Sequence, residues 1–366
     1  MKLRFNREEM ADALTAICNV APTRTPKPIL RCVRVDAQAD VLLLSATDLE
    51  VALRCSVTQV EVDRPGETLV VADTLGRIVR ECQDEILSMD LSEKALHVRG
   101  EGSHFQIVTQ DPGEFPPISA AEGAPDFTIA RDTLQRLIEW TVFASAREST
   151  RYAINGVLWE VEGDRLALAA TDGRRLSLAR GKLAKRESTD VLQAIVPTKA
   201  LSLFGHLADE PDAPVNVKIA PNQLSLKSGR SLISTSLVEG RFPKYQDVIP
   251  QDCDREMEVG TAEFHSALKR AALLTNEESK GVRLSLSPGE LTLSSRAPEQ
   301  GEATVSLPVK YDSEPIEIGF NPVFLLDVLR VTHADQVTFA VKESSRPGVF
   351  RVDDDFVYVV MPVNLG

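Results

Sequence analysis

One phrase recurs three times along the chain, and its spacing limits the fold more than any other feature. Leu42–Asp48 reads LLLSATD, Leu166–Asp172 reads LALAATD, and Leu291–Ser295 carries a degraded LTLSS. The leading leucines stand at 42, 166 and 291, so the phrase returns after 124 and then 125 residues. Solenoid units repeat every ~20–50 residues, so a period this long marks whole domains. The 366 residues hold three such domains at the usual ~100–200 residues each. The expected boundaries are 1–120, 125–250 and 251–366.

Each copy opens with a one-sided apolar stripe of helical period: Met10, Leu14 and Ile17; Leu134, Leu137, Ile138 and Val142; Phe264, Leu268 and Ala271. Two strands joined by a tight turn follow, within 29–48, 153–172 and 282–295. The turns hold Gln38-Ala39-Asp40, Glu162-Gly163-Asp164 and Ser287-Pro288-Gly289. A second helix is expected over 73–83, 198–208 and 322–331, with Asp73, Thr198 and Asn321 as N-cap candidates. Short strands near 105–109, 232–237 and 357–361 finish the copies. Helix, strands, helix, strands reads as an α+β domain with both helices packed on antiparallel sheet. Proline-bearing phrases, Glu114–Ile118 and Arg241–Pro250, close the first two copies and stiffen the crossings.

The net charge of −13 argues against a generic nucleic-acid binder, unless the cations are gathered on one face. The opening MKLRFNREEM lacks the apolar core of a signal peptide, and no run approaches the ~18 residues of a membrane span. A cytoplasmic protein without membrane contact is expected. The five cysteines show no C-x-x-C spacing, which points away from a disulfide frame or zinc site. His97 and His104 lie on expected strands, but one acid or cysteine short of a metal set. No phosphate-cradling loop or Gly-x-Ser-x-Gly elbow occurs. Asp48 and Asp172 lie in equivalent loops of different domains, where Asp after a strand-ending Thr reads as a turn hydrogen-bonder and not a catalytic pair. No enzyme and no cofactor is expected.

Several phrases, in order, carry a resemblance. They are Lys27-Pro28-Ile29-Leu30, Ala46-Thr47-Asp48-Leu49-Glu50, Ile154-Asn155-Gly156, Ala170–Leu176 (ATDGRRL), Gly240-Arg241-Phe242-Pro243, Gly281-Val282-Arg283-Leu284 and Tyr358–Val363 (YVVMPV). Across all three copies the chain resembles the bacterial DNA polymerase III β subunit, the sliding clamp. The resemblance implies three clamp domains forming half of a ring, and a head-to-tail homodimer closed around double-stranded DNA. It also implies a processivity role in DNA replication: tethering the polymerase III α subunit beside its 3'-5' exonuclease partner, the clamp loader δ subunit and other clamp-binding-motif proteins. The localisation it implies is cytoplasmic and nucleoid-associated.

By family position, Phe105 and Ile107 would meet Leu273 and Leu274 of a second copy; the competing reading makes all four core residues. Sheet continuation across domain junctions leaves one edge free at each end of such a chain, and open edges invite pairing. The DNA-facing cations implied are Arg24, Arg77, Arg80, Arg147, Arg151, Lys199, Lys269 and Arg330, each of which can also be a solvated surface charge. Glu148 stands where some relatives carry a neutral polar residue. The family's apolar groove for linear peptides maps to Ile154, Thr171, Gly173, Arg175, Leu176, Pro243, Val248, Val359, Met361 and Pro362. Residues 359–363 alone also read as one more core strand. Asp247 and Asn364 replace basic residues common in relatives, and Gly366 extends the end. The alternative to a clamp is a monomeric repeat-domain peptide-binding scaffold or enzyme that does not encircle DNA.

Overall fold

The computed structural model describes residues 1–121, 123–147, 153–187, 192–207, 213–275, 281–298 and 300–365. Arg151, Glu148 and Gly366 lie outside the described residues. The chain divides into two compact units. One comprises Met1–Gln135, Leu183–Asp190 and Val196–Val238; the other comprises Arg136–Lys182, Val191–Ile195 and Glu239–Gly366. Six α-helices occur among the described residues: α1 Arg7–Val20, α2 Ala72–Glu81, α3 Arg131–Glu139, α4 Thr198–Phe204, α5 Thr261–Ala271 and α6 Pro322–Val331. None is long and apolar enough to cross a membrane.

The helical stripes are core stripes. Met10, Leu14 and Ile17 of α1 and Phe264, Leu268 and Ala271 of α5 are fully buried. Each large apolar side chain so buried contributes ~1.5–3 kcal/mol. Val142 departs from expectation. The second stripe's helix stops at Glu139, and Val142 sits in a short 3₁₀ turn, Val142–Ala144. The break comes at Thr141, whose hydroxyl donates back to the carbonyls of Leu137 and Ile138.

Two N-cap expectations need correction. Asn321 caps α6 by accepting from the Val323 N–H at 3.0 Å. The N-cap of α2, however, is Val71, and that of α4 is Pro197, neither with a side-chain cap. In both places the preceding strand runs straight into the helix, so its last extended residue occupies the cap. Asp73 instead lies in the first turn, where it favours the helix dipole and pairs with Arg77 at 3.1 Å. The helix placed at 198–208 is also shorter, ending at Phe204. The cap that sequence inspection missed is Asn6, which accepts from the Glu9 N–H at 3.0 Å.

In the first unit, a five-stranded sheet runs Val60–Arg64, Lys2–Asn6, Ile86–Leu91, Ala95–Gly100, Ser103–Val108. A nine-stranded sheet runs Lys185–Arg186, Phe127–Ala130, Pro214–Ala220, Gln223–Ser228, Ser231–Ser236, Val51–Val57, Leu42–Thr47, Cys32–Ala37, Gly66–Val71. In the second unit, the larger sheet includes as consecutive neighbours Gly156–Glu162, Arg165–Thr171, Arg175–Lys182, Phe356–Val360, Gly348–Asp353, Gln336–Val341 and Arg255–Gly260. A four-stranded sheet runs Gly301–Pro308, Glu290–Ala297, Val282–Ser287, Ile316–Phe320.

A rule of connection emerges. The strand after the first ATD phrase, Val51–Val57, pairs antiparallel with the last strand of the second copy, Ser231–Ser236, through Leu53↔Ile233. The strand after the second ATD phrase, Arg175–Lys182, pairs antiparallel with the last strand of the third copy, Phe356–Val360, through Ser177↔Tyr358. By the same rule Gly301–Pro308 has no successor to pair with, and Ser103–Val108 has no predecessor. Both are edge strands of their sheets.

Candidate functional site

The ATD phrases build the same loop twice. Thr47 Oγ1 accepts the Leu49 N–H at 3.0 Å and donates to the Val51 carbonyl at 3.0 Å. Asp48 Oδ1 accepts the N–H groups of Glu50 and Val51 at 3.0 and 2.8 Å. Thr171 Oγ1 likewise accepts from Gly173 at 3.1 Å and donates to the Arg175 carbonyl at 2.6 Å. Asp172 Oδ1 accepts from Arg174 and Arg175 at 2.9 and 3.1 Å. Both loops turn through the left-handed region, at Leu49 with φ 82° and at Gly173 with φ 84°. The two aspartates form their turns through Oδ1, while Oδ2 of Asp48 meets Lys199 and Oδ2 of Asp172 meets Arg175. The degraded third phrase makes no such loop: its strand continues to Ala297, and Ser295 Oγ donates to the Ala271 carbonyl of α5 at 2.6 Å.

The second loop forms one wall of a cleft of about 240 Å³ inside the second unit. Ile154, Thr171, Gly173, Arg175, Leu176, Pro243, Val248, Val359 and Met361 line it, together with Arg174, Lys244 and Tyr245. Pro362, also expected there, lies instead in a separate depression with Arg283, Gly319 and Leu365. The Val363 N–H donates to the Gly319 carbonyl at 2.8 Å and carries the tail away from the cleft. The Met361 N–H, by contrast, donates to the Arg174 carbonyl at 2.9 Å and keeps Met361 in the wall. Val248 and Met361 are exposed there, while Ile154, Leu176 and Val359 form a buried floor.

Arg175 holds the wall together. Its Nε donates to Asp172 at 3.0 Å, its Nη1 to Asp327 at 2.7 Å and its Nη2 to the Phe143 carbonyl at 2.7 Å. The guanidinium also lies over the rings of Phe324 and Phe143, 4.6 and 5.5 Å from their centroids. Burial works against its charge, yet the hydrogen bond to Asp327 and the surrounding partners hold its pKa above the ordinary value. Tyr245 fixes the opposite wall: its hydroxyl donates to Glu160 at 2.6 Å, and burial followed by that carboxylate pushes its pKa up. Sequence reasoning missed Arg174, Lys244 and Tyr245, although Arg174 adjoins two residues it did assign to the groove.

The expected DNA-facing cations that are described, Arg24, Arg77, Arg80, Arg147, Lys199, Lys269 and Arg330, are all exposed. Arg77 pairs with Asp73, Arg330 with Asp327 at 3.2 Å, and Lys199 with Asp48. Arg24, Arg80, Arg147 and Lys269 make no ion pair among the described residues. Of the four expected interface side chains, Leu273 is 74% exposed, Leu274 and Phe105 are half-buried, and Ile107 is buried in its own unit. Val108, at the end of the same edge strand as Phe105, is 77% exposed. His97 Nδ1 and His104 Nε2 lie 3.0 Å apart. Among the described residues, no group of three or more metal-ligating side chains gathers.

Residues 1–119, 128–244 and 246–364 match the family models for the N-terminal, central and C-terminal domains of the DNA polymerase III beta subunit. The chain belongs to the DNA polymerase III beta subunit family. It is 34% identical over 368 residues to the beta sliding clamp of Pseudomonas aeruginosa, and 32% identical over 370 residues to that of Escherichia coli K12, with both chains fully covered in each comparison. The crystal structure of the P. aeruginosa clamp superimposes with a TM-score of 0.93, and that of the Bacillus subtilis clamp, 26% identical, also with 0.93; each covers the whole of both chains. The fold is therefore that of a sliding clamp throughout. The beta sliding clamps are processivity factors and not enzymes, in keeping with two aspartates that are consumed in turns.

Proposed function

We propose that this chain works as a head-to-tail dimer closed around duplex DNA, tethering the replicative polymerase and other replication and repair proteins in the bacterial cytoplasm at the nucleoid. The observation that carries this reading is the pairing rule. Two of the three copies donate the strand after the second hairpin strand to the last strand of the next copy. The third copy's Gly301–Pro308 and the first copy's Ser103–Val108 are left as open edges. A second chain, applied head to tail, satisfies both by the same rule, and a head-to-tail contact that closes makes a ring. Exposed Leu273, with Leu274 beside it, supplies apolar surface next to one edge, and Phe105 supplies it at the other. Ile107, already buried, contributes mainly by holding its strand. The division into domains 1–120, 125–250 and 251–366 belongs to this reading.

Arg24, Arg80, Arg147 and Lys269 are the cations freest to meet phosphate, with Arg77, Lys199 and Arg330 exchanging their acidic partners for it, and Arg151 completing the set. The cleft walled by Thr171–Leu176, Pro243 and Val359–Met361 receives linear peptides from the polymerase α subunit, the clamp loader δ subunit and other partners, with Pro362 at its margin. Light scattering at micromolar concentration tests the closure. A mass twice 40.1 kDa is expected, and a monomer at every concentration would refute the ring.

A further inference from the structure

The peptide cleft is apolar along its floor but carries two side-chain cations among its lining residues beyond Arg175: Arg174 and Lys244. Arg175 is committed to Asp172 and Asp327. Arg174 and Lys244 are exposed, and neither makes an ion pair or side-chain hydrogen bond among the described residues. Both are well anchored through their backbones. The Arg174 N–H is held by Asp172 and its carbonyl by Met361. Lys244 directly precedes the 3₁₀ turn Tyr245–Val248, which Tyr245 pins to Glu160. Of the acids around the cleft, Asp172 caps its own loop and holds Arg175, Glu160 accepts from Tyr245 and Gln193, and exposed Asp247 is not among the lining residues. In a chain of net charge −13, two uncommitted cations bordering one apolar cleft are a charge pattern seeking an anion.

We propose that Arg174 and Lys244 set partner specificity, selecting short linear peptides in which an Asp or Glu flanks the apolar anchor residues. The apolar floor supplies affinity, and the two cations discriminate among partners, since exposed charge pairs add little affinity but bias selection. This inference rests on the cleft being the peptide site.

The test uses the full-length protein and two labelled synthetic peptides, identical in their apolar anchors and carrying Asp or Asn at the flanking position. Fluorescence anisotropy on the unsubstituted protein is expected to favour the Asp peptide about three- to tenfold at low salt. That preference shrinks as ionic strength rises. The Arg174→Gln/Lys244→Gln double variant, its fold checked by an unchanged melting curve, should lose the preference for Asp over Asn whatever its affinity for the Asn peptide; Arg174→Lys should retain much of it. Equal binding of the two peptides by the unsubstituted protein, or an Asp preference that survives in the double variant, overturns the inference while leaving the cleft as the peptide site. Failure of both peptides to bind at all overturns the cleft reading and the inference with it.

Discussion

Leu49 and Gly173 occupy the same corner of two copies of one loop, and only the glycine suits it. A side chain in the left-handed region costs ~1–2 kcal/mol, whereas glycine enters freely. Space is open around a Cβ at Gly173, so strain alone opposes one there. Gly173→Ala should therefore lower stability by about 1 kcal/mol, and Leu49→Gly should be neutral or raise it by a few tenths to about 1, because relief of strain is partly offset by chain entropy. Differential scanning calorimetry of both variants reads the opposite signs; a loss of equal size in both would contradict the shared loop geometry. Arg175 behaves differently from a groove contact. Its removal takes one of two partners from Asp327, which keeps Arg330, and leaves Asp172 only its backbone donors. Arg175→Ala should cost about 2–3 kcal/mol and loosen the cleft wall, seen as a fall in melting temperature together with lost peptide binding. A full-stability variant with weakened binding would instead make Arg175 a direct contact.

At the scale of elements, much was legible in the sequence because side-chain period reports burial directly. The stripes of α1 and α5, the three hairpins and the strands that end each copy all follow from spacings of 3.6 and 2. Helix ends were less legible: Val71 and Pro197 took the cap positions because strands feed those helices without a loop, and no local residue type announces that. Nor does local sequence announce that Leu53 will face Ile233, a pairing between strands nearly two hundred residues apart. In the cleft, the lining residues followed from the family resemblance and not from local pattern, and the role of Arg175 as a brace rests on Asp327 and Phe143, which its local sequence does not announce. The two edge strands lead to a further expectation. Leu273→Asp with Leu274→Asp puts charge beside the edge Gly301–Pro308 and should convert the proposed dimer into a folded monomer of 40.1 kDa in sedimentation. An unchanged dimer would remove these leucines from the seam.

For the whole molecule, the acidic balance and the proposed attachment to DNA are compatible if retention is topological. Exposed cations such as Arg24 and Lys269 need make only weak backbone contacts, which position without reading sequence. A protein held instead by neutralising many phosphates loses ~10³ or more in affinity over a fourfold rise in salt. The decisive measurement loads the protein with its clamp loader onto nicked circular DNA, follows retention as salt rises, and then linearises the circle. Retention that barely changes with salt, followed by prompt loss on cutting, is the predicted result. Steep salt release from the intact circle, or persistence on the linear product with free ends, would contradict the ring.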